Sequence, residues 1–478
     1  MNVPRRLEIS LTGLLGLAWP IVFSRLSQTV IGLSDALFVA PLGAPALAAV
    51  ATGAFNAFTL LILPVGVMYM VSSFASQMYG AGDAPGARRF AWYGLAVAAA
   101  TQVVCFVVIP WVGAVVAWLP YEESLRAQMT SFLSVRLLGG GAAVGIEALA
   151  NYYAGLGRTR PGMVANLAAM ALNVLGNWVF INGHWGAPAL GVTGSALASA
   201  LATTIAFAAF LTFFLSKRVP GPLALQSREF LRLLRFGVPS GFNWLLEFLG
   251  FMFFVNVVVG GLGTVALAAM NAVLLVNTVS FMPAFGIASA GAIMVGQSIG
   301  AGHKEDVPQA VRVTLKTVVC WQVAVGLGSL VFPELLMRPF AHGPDAAELT
   351  RVGVRMLLVS AAWQVFDATA TTLAEALRAA GDTLFPTLAR LFIAWGFFAP
   401  GAYFTVTYLG WTEVGATAWF VLYLAALAFV LSWRYRTGAW KRVELVESTG
   451  LAGSAANEPS SAGHGSEVRN ASSRGALP

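Results

Sequence analysis

Unbroken apolar stretches such as Ala187–Leu215 and Trp411–Trp433 recur along nearly the whole chain, and they decide the solvent in which it folds. A spanning helix needs about 20 apolar residues, because hydrocarbon offers a bare backbone no hydrogen-bond partner. Of the 478 residues, 58% are hydrophobic and only 10% charged, where a soluble domain carries about 25% charged residues. That leaves too little polar surface to cover a globule in water, so lipid surrounds most of the chain. A closed β-barrel would need alternating segments of about ten residues, and these runs do not alternate. The sequence therefore reads as an all-α membrane protein with twelve transmembrane helices, over 13–40, 46–78, 90–118, 130–156, 162–182, 189–215, 235–260, 266–300, 311–332, 352–378, 384–408 and 412–434.

The net charge of +7 does not point to nucleic acid, because the basic residues sit in short loops between apolar runs. Their distribution instead sets orientation by the positive-inside rule. With the N-terminus inside, the inner connections hold Arg88, Arg89, Arg158, Arg160, Lys217, Arg218, Arg232, Arg235, Lys304, Arg312 and Lys316. The last helix leaves into Arg434, Arg436, Lys441 and Arg442, while the outer connections 41–46, 183–188 and 261–264 have no Lys or Arg, and those near 120–128 and 333–351 carry Arg126, Arg338 and Arg351 beside several acids. An even number of spans with both termini cytoplasmic follows, in a plasma or inner membrane. Arg5 and Arg6 ahead of a long first span read as an uncleaved start.

Cys105 and Cys320 lie within apolar runs and read as buried free thiols. His184, His303, His342 and His464 fall in loops or in the tail, so no His or Cys cluster offers a metal or haem site. No cofactor is expected, and no catalytic cluster at a membrane face speaks for an enzyme. From Val443 onward the chain is rich in Ser, Ala, Gly and Asn and reads as a disordered tail.

The chain repeats itself. Ala46–Val50 answers Ala266–Met270, and Gln77–Gly82 answers Gln297–Gly302, both 220 residues apart. Ala18-Trp19-Pro20 answers Gly237-Val238-Pro239, and Gly157 with Thr159 answers Gly381 with Thr383. Four ordered matches at nearly constant spacing indicate a duplication. The halves read as an N-lobe at 1–220, a C-lobe with a basic linker at 221–442 and a tail at 443–478. Six spans per half make both copies enter from the same side, related by an axis along the membrane normal, a plan that some secondary transporters share.

Ionisable groups inside a span cost about 2.5–3.5 kcal/mol each on insertion scales, so each asks for a reason. Such groups are Arg25, Asp35, Arg136, Glu147, Glu247, Asp367 and Glu375. Asp35 falls in the outer half of the first helix, at the depth of Asn173 and Asn177, one turn apart in the fifth, and of Thr193 in the sixth. A carboxylate, two amides and a hydroxyl at one depth suit an oxygen cage for Na⁺, with Asp35, Asn173 and Asn177 as its ligands, or a proton site. The structural alternative is that the polar residues join helices. Glu247 and Asp367 fall near mid-span beside Trp244, Phe248, Trp363 and Phe366. An acid among aromatic rings suits a lipophilic organic cation, and the structural alternative is a pair with an intramembrane arginine. Glu375 one turn from Arg378 reads equally as an ion pair, Glu147 is left unassigned, and Arg25 and Arg136 read as counter-charges or snorkelling residues. Pro20, Pro64, Pro239 and Pro283 repeat between the halves and read as hinges or as fixed kinks.

These residues together resemble the multidrug and toxic compound extrusion (MATE) family. The resemblance covers about residues 8–440. It rests on Leu17-Ala18-Trp19-Pro20 with Gln28 and Asp35, on Gln77–Gly82 and its copy, and on Gly155–Thr159. Gly237-Val238-Pro239 with Glu247, and Asp367 followed by Ala376–Thr383, carry it in the second half. It implies a two-lobed antiporter that exports cationic lipophilic drugs in exchange for Na⁺ or H⁺; the sequence gives no sign of an obligate protein partner. It places the N-lobe cation site at Asp35, Asn173, Asn177 and Thr193, and C-lobe roles at Glu247 and Asp367. Some members carry a second acid where Asn177 stands, which lowers the charge of the site here. The competing reading within the superfamily is a flippase or exporter of a lipid-linked or polar metabolite. The mid-span acids, in place of several basic residues, speak against it.

Overall fold

The computed structural model describes residues 9–119, 121–217, 224–341 and 345–446. Twelve long helices carry the fold: α1 Leu11–Leu42, α2 Ala44–Gly80, α3 Ala84–Ala117, α4 Glu123–Gly155, α5 Arg160–Asn182, α6 Gly191–Ser216, α7 Ser227–Leu262, α8 Thr264–Gly300, α9 Lys304–Val331, α10 Ala346–Ala379, α11 Leu384–Leu409 and α12 Glu413–Arg436. Eleven of them are long and apolar enough to cross a membrane; α10 has the length, and carries Arg355, Asp367, Glu375 and Arg378 within it.

Five helices, α3, α4, α7, α9 and α10, begin six to eight residues before the starts that hydropathy suggests. Their first turns hold charged residues such as Glu123, Glu229, Lys304 and Glu348. Polarity lowers hydropathy without breaking the backbone hydrogen-bond ladder. Ser10 caps α1 by accepting from the Gly13 amide at 3.1 Å, and Asp83 caps α3 by accepting from the Gly86 amide at 2.7 Å. The helices run through Pro20, Pro64, Pro239 and Pro283 without interruption.

Helices α1–α6 and α7–α12 form two lobes. In the first, α5 packs on α6 and α1, and α4 on α2 and α3. In the second, α10 is central, against α8, α9 and α12. The lobes meet where α2 lies on α7 and α1 on α8. Small residues permit that approach: a Cβ on Gly66 would collide with the Gly241 backbone, and one on Gly286 with Val22.

The repeat has a structural signature at the end of the bundle where α2 meets α3 and α4 meets α5. Gln77 Nε2 donates to the Ala379 carbonyl at 2.7 Å, and Gln297 Nε2 donates to the Gly155 carbonyl at 2.8 Å. Donors and acceptors are paired by the repeat: Gln77 with Gln297 at a spacing of 220, Gly155 with Ala379 in the frame of Gly157 and Gly381. Both bonds cross from one lobe to the other. Gly80 and Gly300 close on the Gln297 and Gln77 backbones, where a Cβ would collide with the carbonyl.

Two departures from exact repetition lie in the second lobe. From Pro20 to Gly43 the chain advances 23 residues, and from Pro239 to Gly263 it advances 24. Both glycines have the same backbone conformation, φ 104° and 109°. The extra residue is absorbed by a π-turn at Phe254–Val259, without a counterpart in α1. Helix α11 likewise contains a π-turn at Phe392–Phe398, where α5 is regular.

Three expectations need correction or restriction. Residues 443–445 are not part of a loose tail: Leu445 is buried, Val443 and Leu445 rest on Gly381, and Arg232 donates to the Glu444 carbonyl. A hydrophobic pair within a polar stretch is enough to dock it. The remaining tail, 447–478, lies outside the described residues, as do Arg5, Arg6, Arg218, His342 and His464. Cys105 is buried and free as expected, but Cys320 is exposed, because its side of α9 turns away from the bundle.

Candidate functional site

In the first lobe, Asp35 on α1 is 6% exposed, and Asn173 and Asn177 on α5 are fully buried beside it. Its Oδ1 accepts from Asn173 Nδ2 at 3.0 Å and from Asn177 Nδ2 at 2.7 Å. Its Oδ2 accepts from the Ser199 hydroxyl at 3.0 Å, and Asn173 Nδ2 also reaches Ser199 Oγ at 2.8 Å. The i, i+4 spacing that puts both amides on one helix face works as expected. Asn177 Oδ1, and the hydroxyl of Ser195 one turn before Ser199 on α6, are buried with no hydrogen-bond partner among the described residues. The site is thus a carboxylate ringed by oxygen-bearing side chains, with acceptor capacity left over.

Thr193 is not part of it. Its hydroxyl pairs with Ser131 on α4 at 2.6 Å. Ser199, six residues further along α6, takes the place expected for Thr193. Six helical residues amount to about 9 Å of rise and a rotation onto another face, so depth alone could not choose between them. Ser34, which accepts from Asn177 Nδ2 at 3.2 Å, also escaped the sequence reading.

Between the lobes, toward the glutamine pair, lies a charged network. Arg25 forms a two-pronged pair with Glu147, at 3.1 and 3.2 Å, and Gln28 Nε2 donates to Glu147 at 2.9 Å. Arg25 is therefore a counter-charge, and Glu147 its partner. Arg378 pairs with Glu375 and also bonds Ser73 of α2 at 3.0 Å, so this i, i+3 pair fastens the second lobe to the first. Both guanidinium groups face the Tyr69 ring, at 5.4 and 5.7 Å.

The second lobe holds a cavity of about 340 Å³. Glu247 of α7 and Asp367 of α10 both line it and are the charged residues among its walls. Trp244, Phe251, Trp363 and Phe420 supply aromatic faces, and Phe58 and Ile62 of α2 close it from the first lobe. The π-turns border this space: Ala394 and Phe398 come from the one in α11, and Phe254 from the one in α7 stacks near Phe398 and Phe420. Asp367 accepts from Gln322 Nε2 at 2.7 Å and from the Thr371 hydroxyl at 3.4 Å. Glu247 pairs with Arg390 of α11. That arginine was not singled out from the sequence. It stands one and a half turns into its helix, where arginines ordinarily snorkel, and 143 residues from its partner.

No group of three or more His, Cys, Asp or Glu stands ready for a metal ion among the described residues. A cation at Asp35 would have to be held by one carboxylate together with amide and hydroxyl oxygens.

Comparison with known proteins fits this architecture. The MatE family model matches residues 20–179 and 239–404, one block in each lobe. A probable multidrug resistance protein NorM of Synechocystis is 28% identical over 435 residues, covering 88% of this chain and 93% of that protein. The multidrug resistance protein PmpM of Pseudomonas aeruginosa is 28% identical over 438 residues, covering 87% of this chain and 86% of that protein. Among solved structures, a MOP superfamily transporter from Pyrococcus furiosus, described as having a binding pocket of reversed polarity, superposes with a TM-score of 0.84 at 20% identity, covering 93% of this chain and all of that one.

Proposed function

Because the chain belongs to the MatE family and is accordingly a membrane transporter rather than an enzyme, we propose that it exports lipophilic organic cations in exchange for Na⁺ or H⁺. The observation that carries this reading is the meeting of Glu247 and Asp367 in one aromatic-walled cavity against the other lobe. Rings give cation–π contact to a quaternary or protonated amine. The acids supply the charge that makes such a ligand preferable to a neutral one. An anionic lipid-linked substrate would meet two carboxylates in that space, which speaks for the cation exporter over the flippase.

Coupling belongs to Asp35 in this account. A carboxylate in hydrocarbon is costly unless a cation or proton neutralises it. Asn173, Asn177 and Ser199 supply oxygens to a bound Na⁺, or hold the acid in place while it exchanges a proton. The basic end of the bundle faces the cytoplasm of a cell or inner membrane, as the positive-inside rule demands. The crossed glutamine bonds then close the cytoplasmic side, and alternating access requires them to break. In this cycle the N-lobe, 1–220, moves against the C-lobe, 221–442 with the docked residues to Leu445, and no protein partner is needed.

Proteoliposomes with separately imposed Na⁺ and H⁺ gradients test the proposal. Ethidium should move under one gradient and not under the other. Absence of movement under both would overturn the reading.

A further inference from the structure

The two acids of the second-lobe cavity are not alone. Arg390 sits behind Glu247, its side chain 7% exposed against 36% for the glutamate, and its Nε has no hydrogen-bond partner among the described residues. A guanidinium does not lose its proton in a protein, so this positive charge is permanent. Among the described residues the hydrogen-bond donors to Asp367 are neutral, Gln322 and Thr371. Two carboxylates and one fixed cation leave the cavity a net charge of −1 when both acids are ionised.

The repeat does not by itself dictate charged side chains at these two positions, as the first lobe shows. Pro20 and Pro239 are 219 residues apart, which sets Gln28 opposite Glu247. Gly157 and Gly381 are 224 apart, which sets Asn166 opposite Arg390. Gln28 and Asn166 do touch, with Nε2 donating to Oδ1 at 3.5 Å. The two matching positions are thus neutral in the first lobe, where Gln28 also donates to Glu147 of the Arg25 pair at 2.9 Å, and charged in the second.

We propose that Arg390 is a charge-selectivity residue: by neutralising one of two acids, it restricts the cavity to ligands carrying a single positive charge. A dication in this cavity would keep one charge uncompensated in a poorly solvated place. Discrimination here comes from an unfavourable element set against the wrong ligand rather than from an added contact to the right one. Arg390 stands behind Glu247 and acts through it. The inference rests on the cavity being the organic-cation site proposed above.

Two ligands of equal chain length separate the possibilities: decyltrimethylammonium, with one charge, and decamethonium, with two. Their dissociation constants are measured on the full chain in nanodiscs. Arg390→Asn should lower the decamethonium-to-decyltrimethylammonium Kd ratio by about tenfold or more. Glu247→Gln with Arg390→Asn, which copies the neutral pair of the first lobe, returns the cavity to −1 and should restore the ratio to within about threefold of wild type. A ratio unmoved by Arg390→Asn, or equal weakening of both ligands, overturns the inference.

Should Arg390→Asn fail to fold, Glu247→Gln alone raises the cavity from −1 to 0. Decyltrimethylammonium should then bind about tenfold or more weaker, and the double variant should recover it. No recovery overturns the inference. A wild-type protein that binds neither ligand overturns the exporter reading itself; one whose ratio is insensitive to all three variants overturns only the role of Arg390.

Discussion

In the first lobe Asp35 is enclosed by Asn173, Asn177 and Ser199; in the second, Glu247 and Asp367 border about 340 Å³ of space walled by aromatic rings. The lobes agree closely at the end that joins them, where Gln77 and Gln297 make matching bonds to Ala379 and Gly155. They part company at mid-height. The stretch of α7 that corresponds to Asp35 is Phe254-Val255, and there one additional residue is accommodated as a π-turn. A second π-turn in α11 faces the same cavity. Each widens its helix locally and rotates the next turns about the axis, so small changes in length let one copy of a repeat hold a roomy site while the other holds a tight one. A tight, oxygen-rich site suits a small ion, and a wide aromatic one suits an organic cation.

That contrast can be broken most forcefully at Asp35. Asp35→Asn removes the only carboxylate of its site and should reduce coupled efflux in proteoliposomes by about 100-fold, with unchanged elution on size exclusion. Efflux near wild type in a folded variant would dissolve the division between the lobes.

The symmetric part of the comparison is sharpened by Gln77→Ala and Gln297→Ala. A buried hydrogen bond lost with its partner left unpaired costs about 1–3 kcal/mol. Either variant should therefore shift the population toward a basic end that is open, by about tenfold or more, and the two should do so alike. Spin labels at positions 158 and 305, both exposed and on opposite lobes, read the separation. An effect from only one of the two glutamines would show that the joint is not symmetric.

A smaller effect is expected within the tight site. Ser199→Ala removes one neutral donor from Asp35, worth about 1 kcal/mol, so the half-saturating concentration of the coupling ion should rise about threefold to tenfold. Thr193→Ala, which only loosens the bond to Ser131, should change it less than about twofold. Equal responses would return Thr193 to the site.

The spans, the duplication and the mid-span acids were legible in the sequence because each is a local departure from apolar surroundings. Asn173 and Asn177 were legible because helical spacing fixes their common face. Ser199 was not: it stands among Ala, Leu and other Ser residues of α6, and its rotation toward Asp35 depends on how α6 packs on α5. Arg390 was hidden by its nearness to a helix start, and its pairing with Glu247 depends on α11 lying against α7. The glutamines were visible as a repeated string, but their bonding partners are set only by the way two lobes meet. The π-turns are written in the one-residue difference between Pro20–Gly43 and Pro239–Gly263, which becomes informative once the matching glycine conformations are known.

The division of labour between the lobes is tested most directly by binding decyltrimethylammonium to wild-type and Asp35→Asn protein while Na⁺ and pH are varied independently. Wild-type affinity should weaken as one of the two coupling ions is raised. The Asp35→Asn protein should bind within about threefold of the ion-free wild type and show no dependence on either ion. Retention of the full ion dependence without Asp35 would contradict the account.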